Sequence, residues 1–323
     1  MRKALFSKSI VVLAAVISGC FGVVSGQTSQ DLGSENVRLM TIPVSIFTRE
    51  ELKKNRLEEF VPAGRLTVKE NGEEQEILSV KSVSNQPIAI EILIQDDLSS
   101  EVNLNLGDIK DFIGHLPSGS RVMVGYIRGG GLQVRQGFTR DLKAAADAIR
   151  IVGSSAAVAP RSPYEDLRQA LTHFDGLPAG RRSVLIVSDG LDTSSGTSAS
   201  PSQNPELDRS ISEAQKRGVA VYGIYSPATF TSGGNGQAIS NGQGSLNRLC
   251  DETGGRAFFQ GFSAPVSFVP FIKNLDRSLN RQFAITYLTT NMKSGYYKVL
   301  VESSNPEIRI DHPKGYFYRK VRD

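Results

Sequence analysis

The chain has 323 residues, of which 39% are hydrophobic and 22% are charged, and its formal net charge is +4. This composition excludes a largely disordered chain, and the length allows one large α/β domain with a smaller companion. The only cysteines are Cys20 and Cys250, so a disulfide framework and a cysteine-rich zinc site are excluded.

The first residues have the pattern of an export signal. Arg2, Lys3 and Lys8 give a basic start, and residues 10–17 form an unbroken apolar run. That run is far shorter than the roughly 20 residues that a membrane-spanning helix needs, so we interpret residues 1–26 as a cleaved signal peptide. The protein is therefore predicted to be exported, to the periplasm, the cell envelope or the extracellular space.

A second interpretation of the leader stays open. Ile17-Ser18-Gly19-Cys20 resembles the lipobox of bacterial lipoproteins, in which the signal ends at Gly19 and the lipidated Cys20 tethers the protein to a membrane. Loss of residues 1–19, which hold three basic and no acidic residues, lowers the net charge of +4 to about +1. No dense stripe of lysine and arginine remains, so nucleic acid is not an expected partner.

After the leader, residues 37–86 have the pattern of a short β segment. Residues 37–48 and 75–80 alternate apolar and polar side chains, as strands with one buried face do. The pair Asn71-Gly72 lies between two strand-like stretches and predicts a tight hairpin.

Residues 87–280 have the pattern of a larger α/β unit. Nearly continuous apolar strands alternate with stretches of helical periodicity, which predicts a doubly wound, mostly parallel sheet with helices on both faces. Residues 227–246, rich in glycine, serine, asparagine and glutamine, are predicted to form a surface loop. The strands are predicted at residues 88–94, 122–127, 184–187 and 219–224, and the helices at about 104–116, 140–151, 163–174, 205–217, 245–252 and 265–279.

The β pattern returns in residues 281–320. Because this segment and residues 37–86 flank the α/β unit, we expect the two to pair into one small sheet or sandwich, with the α/β unit inserted between them. The predicted fold class is therefore α/β, with a doubly wound, mostly parallel sheet and a small β unit formed by the flanking segments.

Candidate ligand residues follow the predicted strands, because parallel α/β sheets bind ligands at the carboxyl ends of their strands. Residues 95–100, Gln-Asp-Asp-Leu-Ser-Ser, follow the first strand, and residues 188–190, Ser-Asp-Gly, follow the third. Residues 162–164, Ser-Pro-Tyr, lie at a predicted junction of loop and helix. Each motif alone also fits a turn or a helix cap, but carboxylates and hydroxyls on one rim would suit Mg²⁺ or Ca²⁺.

These three motifs resemble those of a von Willebrand factor A (VWA) domain. That family has Asp-x-Ser-x-Ser after its first strand, a threonine in a later loop and Thr/Ser-Asp-Gly after a central strand, which together form a metal-ion-dependent adhesion site. Residues 187–194 look very like the third motif, and residues 162–166 are similar to the second. The resemblance implies a VWA/Rossmann-like α/β fold.

The chain is more closely similar to the bacterial VWFA-related proteins that are common in Acidobacteria. This similarity extends over about residues 37–319, and its motifs are specific as a set. The stretches that carry it are residues 66–72, 138–141, 249–258 and 314–316.

The first motif departs from the family pattern in either of two registers. With Asp96 as its aspartate, a leucine stands where the first serine belongs and Ser100 is kept. With Asp97 as its aspartate, Ser99 is kept and a glutamate replaces the second serine. We take the Asp96 register, with Asp97 as a substitute ligand. The ligands that the resemblance implies, around Mg²⁺ or else Mn²⁺ or Ca²⁺, are Asp96, Asp97, Ser99, Ser100, Ser162 and Asp189.

The function that the resemblance implies is that of a non-enzymatic binding or adhesion module, whose protein partner completes the metal shell with an acidic side chain. One alternative is a structural or assembly protein with a non-functional metal site. Another is a Mg²⁺-dependent phosphohydrolase-like enzyme, since an acidic pair like Asp96-Asp97 also follows the first strand of phosphate-handling domains. The sequence contains no Gly-x-Ser-x-Gly elbow and no phosphate loop, which argues against serine hydrolases and phosphate-loop proteins.

Overall fold

Alternating patterns at the two ends of the chain and apolar runs in its middle produce three β-sheets. The computed structural model describes residues 37–48, 66–178, 180–196, 198–228, 231 and 235–319. The predicted signal peptide, its lipobox alternative and Cys20 lie outside the described residues. The strands are β1 (Arg38–Thr48), β2 (Leu66–Glu70), β3 (Glu73–Gln75), β4 (Ile77–Ser82), β5 (Ile88–Gln95), β6 (Arg121–Ile127), β7 (Gln133–Thr139), β8 (Arg181–Ser188), β9 (Val219–Tyr225), β10 (Ala257–Phe258), β11 (Gln282–Thr289), β12 (Gly295–Ser303), β13 (Ile308–Asp311) and β14 (Gly315–Tyr318).

The helices lie between the strands of the middle region. They are α1 (Leu106–Gly114), α2 (Leu142–Asp147), α3 (Pro163–Leu171), α4 (Pro205–Arg217), α5 (Gly236–Thr253) and α6 (Val269–Asn280), with short 3₁₀ helices at Ser100–Asn105, Ala156–Val158 and Thr172–Gly176. The sequence determines where α4 begins and ends. The Asn204 side chain accepts a hydrogen bond from Leu207 N at the start of the helix, and Gly218 ends the helix in the left-handed conformation. Within the described residues, no helix is both long enough and apolar enough to cross a membrane.

The central sheet has the strand order β10-β9-β8-β5-β6-β7. Neighbouring strands from β10 to β6 are parallel, and β7 is antiparallel to β6 at one edge. Strands β5, β8 and β9 are buried along almost their whole length, as their continuous apolar runs predict. The predicted α/β fold with a mostly parallel sheet is confirmed.

Two hydrophobic layers hold the helices against the two faces of this sheet. On one face, α1, α2 and α6 contribute buried side chains such as Phe112, Ala145 and Leu275. On the other face, α3, α4 and α5 contribute buried side chains such as Leu167 and Leu249. Because side chains along a strand alternate between the faces, the inner strands contribute to both layers. The sheet is therefore doubly wound, as predicted.

The two ends of the chain form a β-sandwich. Its sheets have the orders β13-β1-β11-β4 and β14-β12-β2-β3, and each sheet joins strands from both ends through antiparallel pairs such as β1 with β11 and β2 with β12. Ile42, Val68, Ile285 and Val299 pack together in the core between them. The predicted pairing of the flanking segments is confirmed, in the form of a sandwich. The domain boundaries at residues 86 and 280 stay predictions.

The buried guanidinium of Arg181, the first residue of β8, joins the sandwich to the α/β unit. Its Nε donates to Gln282 Oε1 at 2.9 Å, and Nη2 donates to the Leu279 carbonyl at 2.8 Å. Nη1 donates to the carbonyls of Ser84 at 2.8 Å and Gln86 at 2.6 Å. Burial lowers the pKa of this guanidinium. One side chain thus connects β11, α6 and the segment that leads into β5.

The carboxyl group of Glu91, in β5, is enclosed in the core without a hydrogen bond. Its side chain is fully shielded from solvent, and neither of its oxygens has a hydrogen-bond partner among the described residues. His173 Nδ1 approaches Oε1 to 4.0 Å, which is beyond hydrogen-bonding distance. Burial raises the pKa of Glu91 well above its ordinary value, because the charged form would lose its hydration without compensation.

Replacing Arg181 by methionine keeps much of the length of the side chain and removes its donors. We expect the free energy of unfolding to fall by about 3 kcal/mol or more, because several buried acceptors lose their partner. Chemical denaturation followed by circular dichroism measures the change. Arg140→Met, at an exposed position, is the control and should shift stability by less than about 0.5 kcal/mol. Equal midpoints for the two variants would contradict the role assigned to Arg181.

Replacing Glu91 by methionine removes a buried polar group that has no hydrogen bond. At pH 8 the free energy of unfolding should rise by about 1–3 kcal/mol. The native carboxyl keeps its proton to higher pH than the unfolded one, so the unmodified protein loses stability as the pH rises above 4.5 towards the raised native pKa. The difference in the free energy of unfolding between the variant and the unmodified protein should therefore be smaller at pH 5 than at pH 8. Denaturation curves at both pH values test this, and the reverse order would refute it.

Candidate functional site

The carboxyl ends of β5 and β8 lie side by side in the central sheet. Ile94 is in register with Val187, so the residues that follow the two strands share one edge of the sheet. A cavity of about 340 Å³ opens at this edge, and its walls include Gln95, Asp97 and Asp189. The motifs that were predicted to follow the first and third strands therefore adjoin a single cavity.

The side-chain amide of Gln95 connects two carboxylates of this cavity. Its Nε2 donates to Asp97 Oδ1 at 2.8 Å and to Asp189 Oδ1 at 3.1 Å. Its Oε1 accepts a hydrogen bond from the Ser188 hydroxyl, which fixes the orientation of the amide. A neutral N–H group thus lies between two acidic side chains.

Both of these carboxyl groups are buried. Burial, together with the nearby charge of Asp97, raises the pKa of Asp189 to about 7, and burial raises the pKa of Asp97 as well. Asp189 also accepts hydrogen bonds from Leu191 N at 3.1 Å and from Thr231 Oγ1 at 3.2 Å. No lysine or arginine among the described residues lies within ion-pair distance of Asp189, so neutral donors alone stabilise its charge.

Helix α5 supports the loop that carries Asp189. A Cβ atom at Gly242 would lie 2.1 Å from the Asp189 carbonyl oxygen, and Gly190 has a φ of +66°. Both positions therefore require glycine. The predicted surface loop at residues 227–246 is wrong from residue 236 onward, where α5 begins and the Asn235 side chain caps it. The glycines that suggested a loop instead allow the helix to approach the site closely.

Asp96 is bound on the other side of the strand end. Arg150 donates to it through two parallel hydrogen bonds, Nη1 to Oδ1 at 2.8 Å and Nη2 to Oδ2 at 2.9 Å. Gly153 N donates to Oδ1 at 3.2 Å, and Arg128 Nε lies 3.7 Å from Oδ2. Burial alone would raise the pKa of Asp96, but these contacts hold it below its ordinary value. The Asp96 carboxylate is engaged by arginine and not by the cavity.

The predicted serine ligands have three different environments. The Ser162 hydroxyl donates to Asp192 Oδ2 at 2.8 Å, and Asp192 Oδ1 accepts hydrogen bonds from Ser194 N and Oγ. Ser99 Oγ is shielded from solvent and has no hydrogen-bond partner of ordinary geometry among the described residues. Ser100 is exposed.

The side-chain oxygens at this edge of the sheet fit a hard divalent cation. Asp97 and Asp189 offer carboxylates, and Ser99 offers a shielded hydroxyl oxygen. Such oxygens are the ligands that Mg²⁺, Mn²⁺ and Ca²⁺ prefer. Within the described part of the chain, no group of three or more His, Cys, Asp and Glu side chains could hold a metal ion. Hydroxyls, water or a partner's oxygen would therefore have to complete the shell.

Several polar residues of this region were not identified from the sequence. Gln95 and Asp192 lie inside the motifs at residues 95–100 and 187–194, so the sequence could have identified them as residues of the site. Thr231 and Arg150 gave no local signal, because their contacts to Asp189 and Asp96 join residues that are 42 and 54 positions apart in the chain. Contacts between residues so distant in sequence become visible only when the fold is known.

Comparisons with known proteins give similarities at the level of solved structures. No family model matches the sequence, and no curated protein matches it. An aerotolerance-related membrane protein from Bacteroides fragilis with multiple mutations to serines is 12% identical, with 60% of this chain and 98% of that chain covered and a TM-score of 0.41. The SpRpn10 VWA domain is 14% identical, with 43% and 75% covered and a TM-score of 0.33.

Manganese-loaded TRAP protein from Plasmodium vivax is a further similar structure. It is 10% identical, with 72% of this chain and 96% of that chain covered and a TM-score of 0.39. At these identities and scores, the strand order of the chain itself, and not the similarity, is the basis of the fold assignment. The site is judged on its own geometry.

Gly242→Ala tests the contact between α5 and the site loop. The added methyl group meets backbone atoms of Asp189, so we expect the free energy of unfolding to fall by about 2 kcal/mol or more, although alanine favours helix. Gly236→Ala is the control in the same helix, because its Cβ would meet no atom within 4 Å, and it should leave stability unchanged or slightly higher. Thermal and denaturant unfolding measure both variants. Equal stability of the two would contradict the close approach.

Proposed function

We propose that this protein is an exported binding module of the VWA type, which holds a divalent cation between Asp97 and Asp189 and presents it to a protein partner. The observation that carries the proposal is the pair of buried carboxylates bridged by the neutral Gln95 amide. Two carboxylates that share one donor repel each other in a poorly hydrated place, and a cation between them would remove that repulsion.

The proposal uses the register in which Asp97 is the aspartate of the first motif and Ser99 is its first serine. In support of this register, Asp97 shares a hydrogen-bond donor with Asp189, whereas both oxygens of Asp96 accept from Arg150. The glutamate at position 101 replaces the second serine of the family pattern. With one hydroxyl ligand fewer, the shell would keep positions open for water or a ligand.

The partner that such a site suits is a protein with an accessible acidic side chain. Mg²⁺ is the first candidate for the cation, with Mn²⁺ and Ca²⁺ as alternatives. When bound, the cation would supply the positive charge that attracts the partner's carboxylate, and Asp97, Ser99 and Asp189 would hold it in place. The proposal assigns binding and not turnover. The phosphohydrolase-like alternative needs Asp96 and Asp97 to act on one ligand, and Asp96 is bound to Arg150.

The proposed location is the cell envelope or the extracellular space, with the chain either free or tethered through lipidated Cys20. This part of the proposal is supported by the basic start and the short apolar run of residues 1–26. The narrower similarity to bacterial VWFA-related proteins stays a prediction.

A second candidate function is that of a structural or assembly protein without a bound cation. It is favoured by the hydrogen bonds that already occupy the site: Gln95 bridges Asp97 and Asp189, and the Ser162 hydroxyl donates to Asp192. Such a network stabilises the edge of the sheet by itself. A measurement of cation binding separates the two candidates.

The test is calorimetric titration of the full-length protein with MgCl₂ and with MnCl₂. We expect saturable binding that Asp97→Asn and Asp189→Asn each weaken on the order of tenfold or more, because each removes a charged ligand. Asp96→Asn makes the same chemical change one residue away. It should change the affinity by less than about threefold, because Arg150 already binds this carboxylate.

The outcomes separate the alternatives. No binding to the unmodified protein would refute the cation site and leave the structural candidate. Loss of binding in Asp96→Asn together with full binding in Asp97→Asn would restore the Asp96 register. Circular dichroism of each variant shows whether a loss of binding comes from a loss of fold.

A further inference from the structure

A crevice lies at the junction of the sandwich and the α/β unit, at the opposite end of the central sheet from the cavity beside Asp189. Arg182 lines this crevice near the start of β8, whereas Asp189 follows the end of the same strand. The crevice consists of two adjoining cavities of about 320 and 390 Å³, which share the residues Thr41, Pro43, Arg182, Arg217 and Gly218.

The two walls of the crevice differ in chemistry. On the sandwich side, the wall includes Pro43 and Ala284, which are partners in register across β1 and β11. On the side of the α/β unit, it includes the cations Arg182, Lys216 and Arg217 and one carboxylate, Asp175, which forms an ion pair with Arg217. A ligand with an apolar part and a negatively charged group would match both walls at once.

Arg182 is a half-buried cation without an ion-pair partner among the described residues. Its Nη1 donates to the Arg217 carbonyl at 3.1 Å, and its Nη2 donates to the Leu177 carbonyl. Its Nε is shielded from solvent and has no hydrogen-bond acceptor in the described part of the chain. A poorly hydrated charge costs free energy, and an anion in the crevice would offset that cost through its opposite charge.

The other arginines at this junction are already engaged. Arg217 forms ion pairs with Asp175 and with Glu213. The donors of Arg181 reach the carbonyl and amide oxygens that join the sandwich to the α/β unit. Arg182 is therefore the arginine of this crevice that has binding capacity left for a ligand.

We propose that the crevice binds a small amphipathic carboxylate of the fatty-acid class, whose charged group contacts Arg182 and whose aliphatic chain lies along Pro43 and Ala284. A carboxylate carries one negative charge, which matches the single guanidinium of Arg182. Cavities of a few hundred Å³ hold ligands of this size. The site is independent of the proposed cation site at the other end of β8.

The first test is calorimetric titration of the full-length protein with decanoate, at concentrations below those at which it forms micelles. Decanol is the matched ligand, because it keeps the aliphatic chain and lacks the charge. We expect saturable binding of decanoate that is on the order of tenfold stronger than that of decanol, since a charge-assisted hydrogen bond is lost in the alcohol. No saturable binding of decanoate, or equal affinities for the two ligands, would overturn the proposal.

Two variants each change one wall of the crevice. Arg182→Met should weaken decanoate binding on the order of tenfold and leave decanol binding unchanged, because it removes the charge and keeps an apolar side chain. Ala284→Phe should abolish the binding of both ligands, because it fills the apolar part of the crevice. Arg209→Met, at an exposed position of α4, is the control and should bind as the unmodified protein does. Decanoate binding that is unchanged in both crevice variants would refute the assignment.

Discussion

The buried guanidinium of Arg181 is the contact on which the arrangement of the sandwich and the α/β unit depends. Its donors reach Gln282 in β11, Leu279 in α6 and two carbonyls in the segment before β5. Carbonyl and amide dipoles stabilise its charge, so these acceptors must keep their positions. The same side chain fixes the start of β8.

At the carboxyl edge of the sheet, the turn that follows β5 directs its two adjacent acids to different partners. Gln95 and Asp97 face Asp189, whereas Asp96 faces Arg150. Arg150 is itself held by Tyr126, whose ring lies 4.0 Å from the guanidinium carbon. Asp97 thus contributes a carboxylate to the cavity, whereas Asp96 forms an ion pair that anchors the loop before α3.

The fold was largely predictable from hydrophobic patterns, and the site was predictable only in part. Continuous apolar runs identified β5, β8 and β9, since strands buried on both faces need apolar side chains along their whole length. The separate environment of Asp96 could not be predicted in this way. It depends on Arg150, which is 54 residues from Asp96. The helical conformation around Gly242 was missed because glycine favours loops unless a close contact requires it.

The surroundings of three ionisable side chains, Glu91, Asp189 and Arg182, show the difference between a candidate ligand site and a buried group that only lowers stability. Glu91 lines none of the cavities described above, so protonation is the available way to remove its charge. Asp189 and Arg182 each line a cavity that a counter-ion can enter. A folded chain that keeps such charges beside open cavities gains stability when an ion of opposite sign binds, because binding to the native state alone shifts the folding equilibrium. The two ends of β8 are therefore suited to opposite ligands, a cation at the carboxyl end and an anion at the amino end.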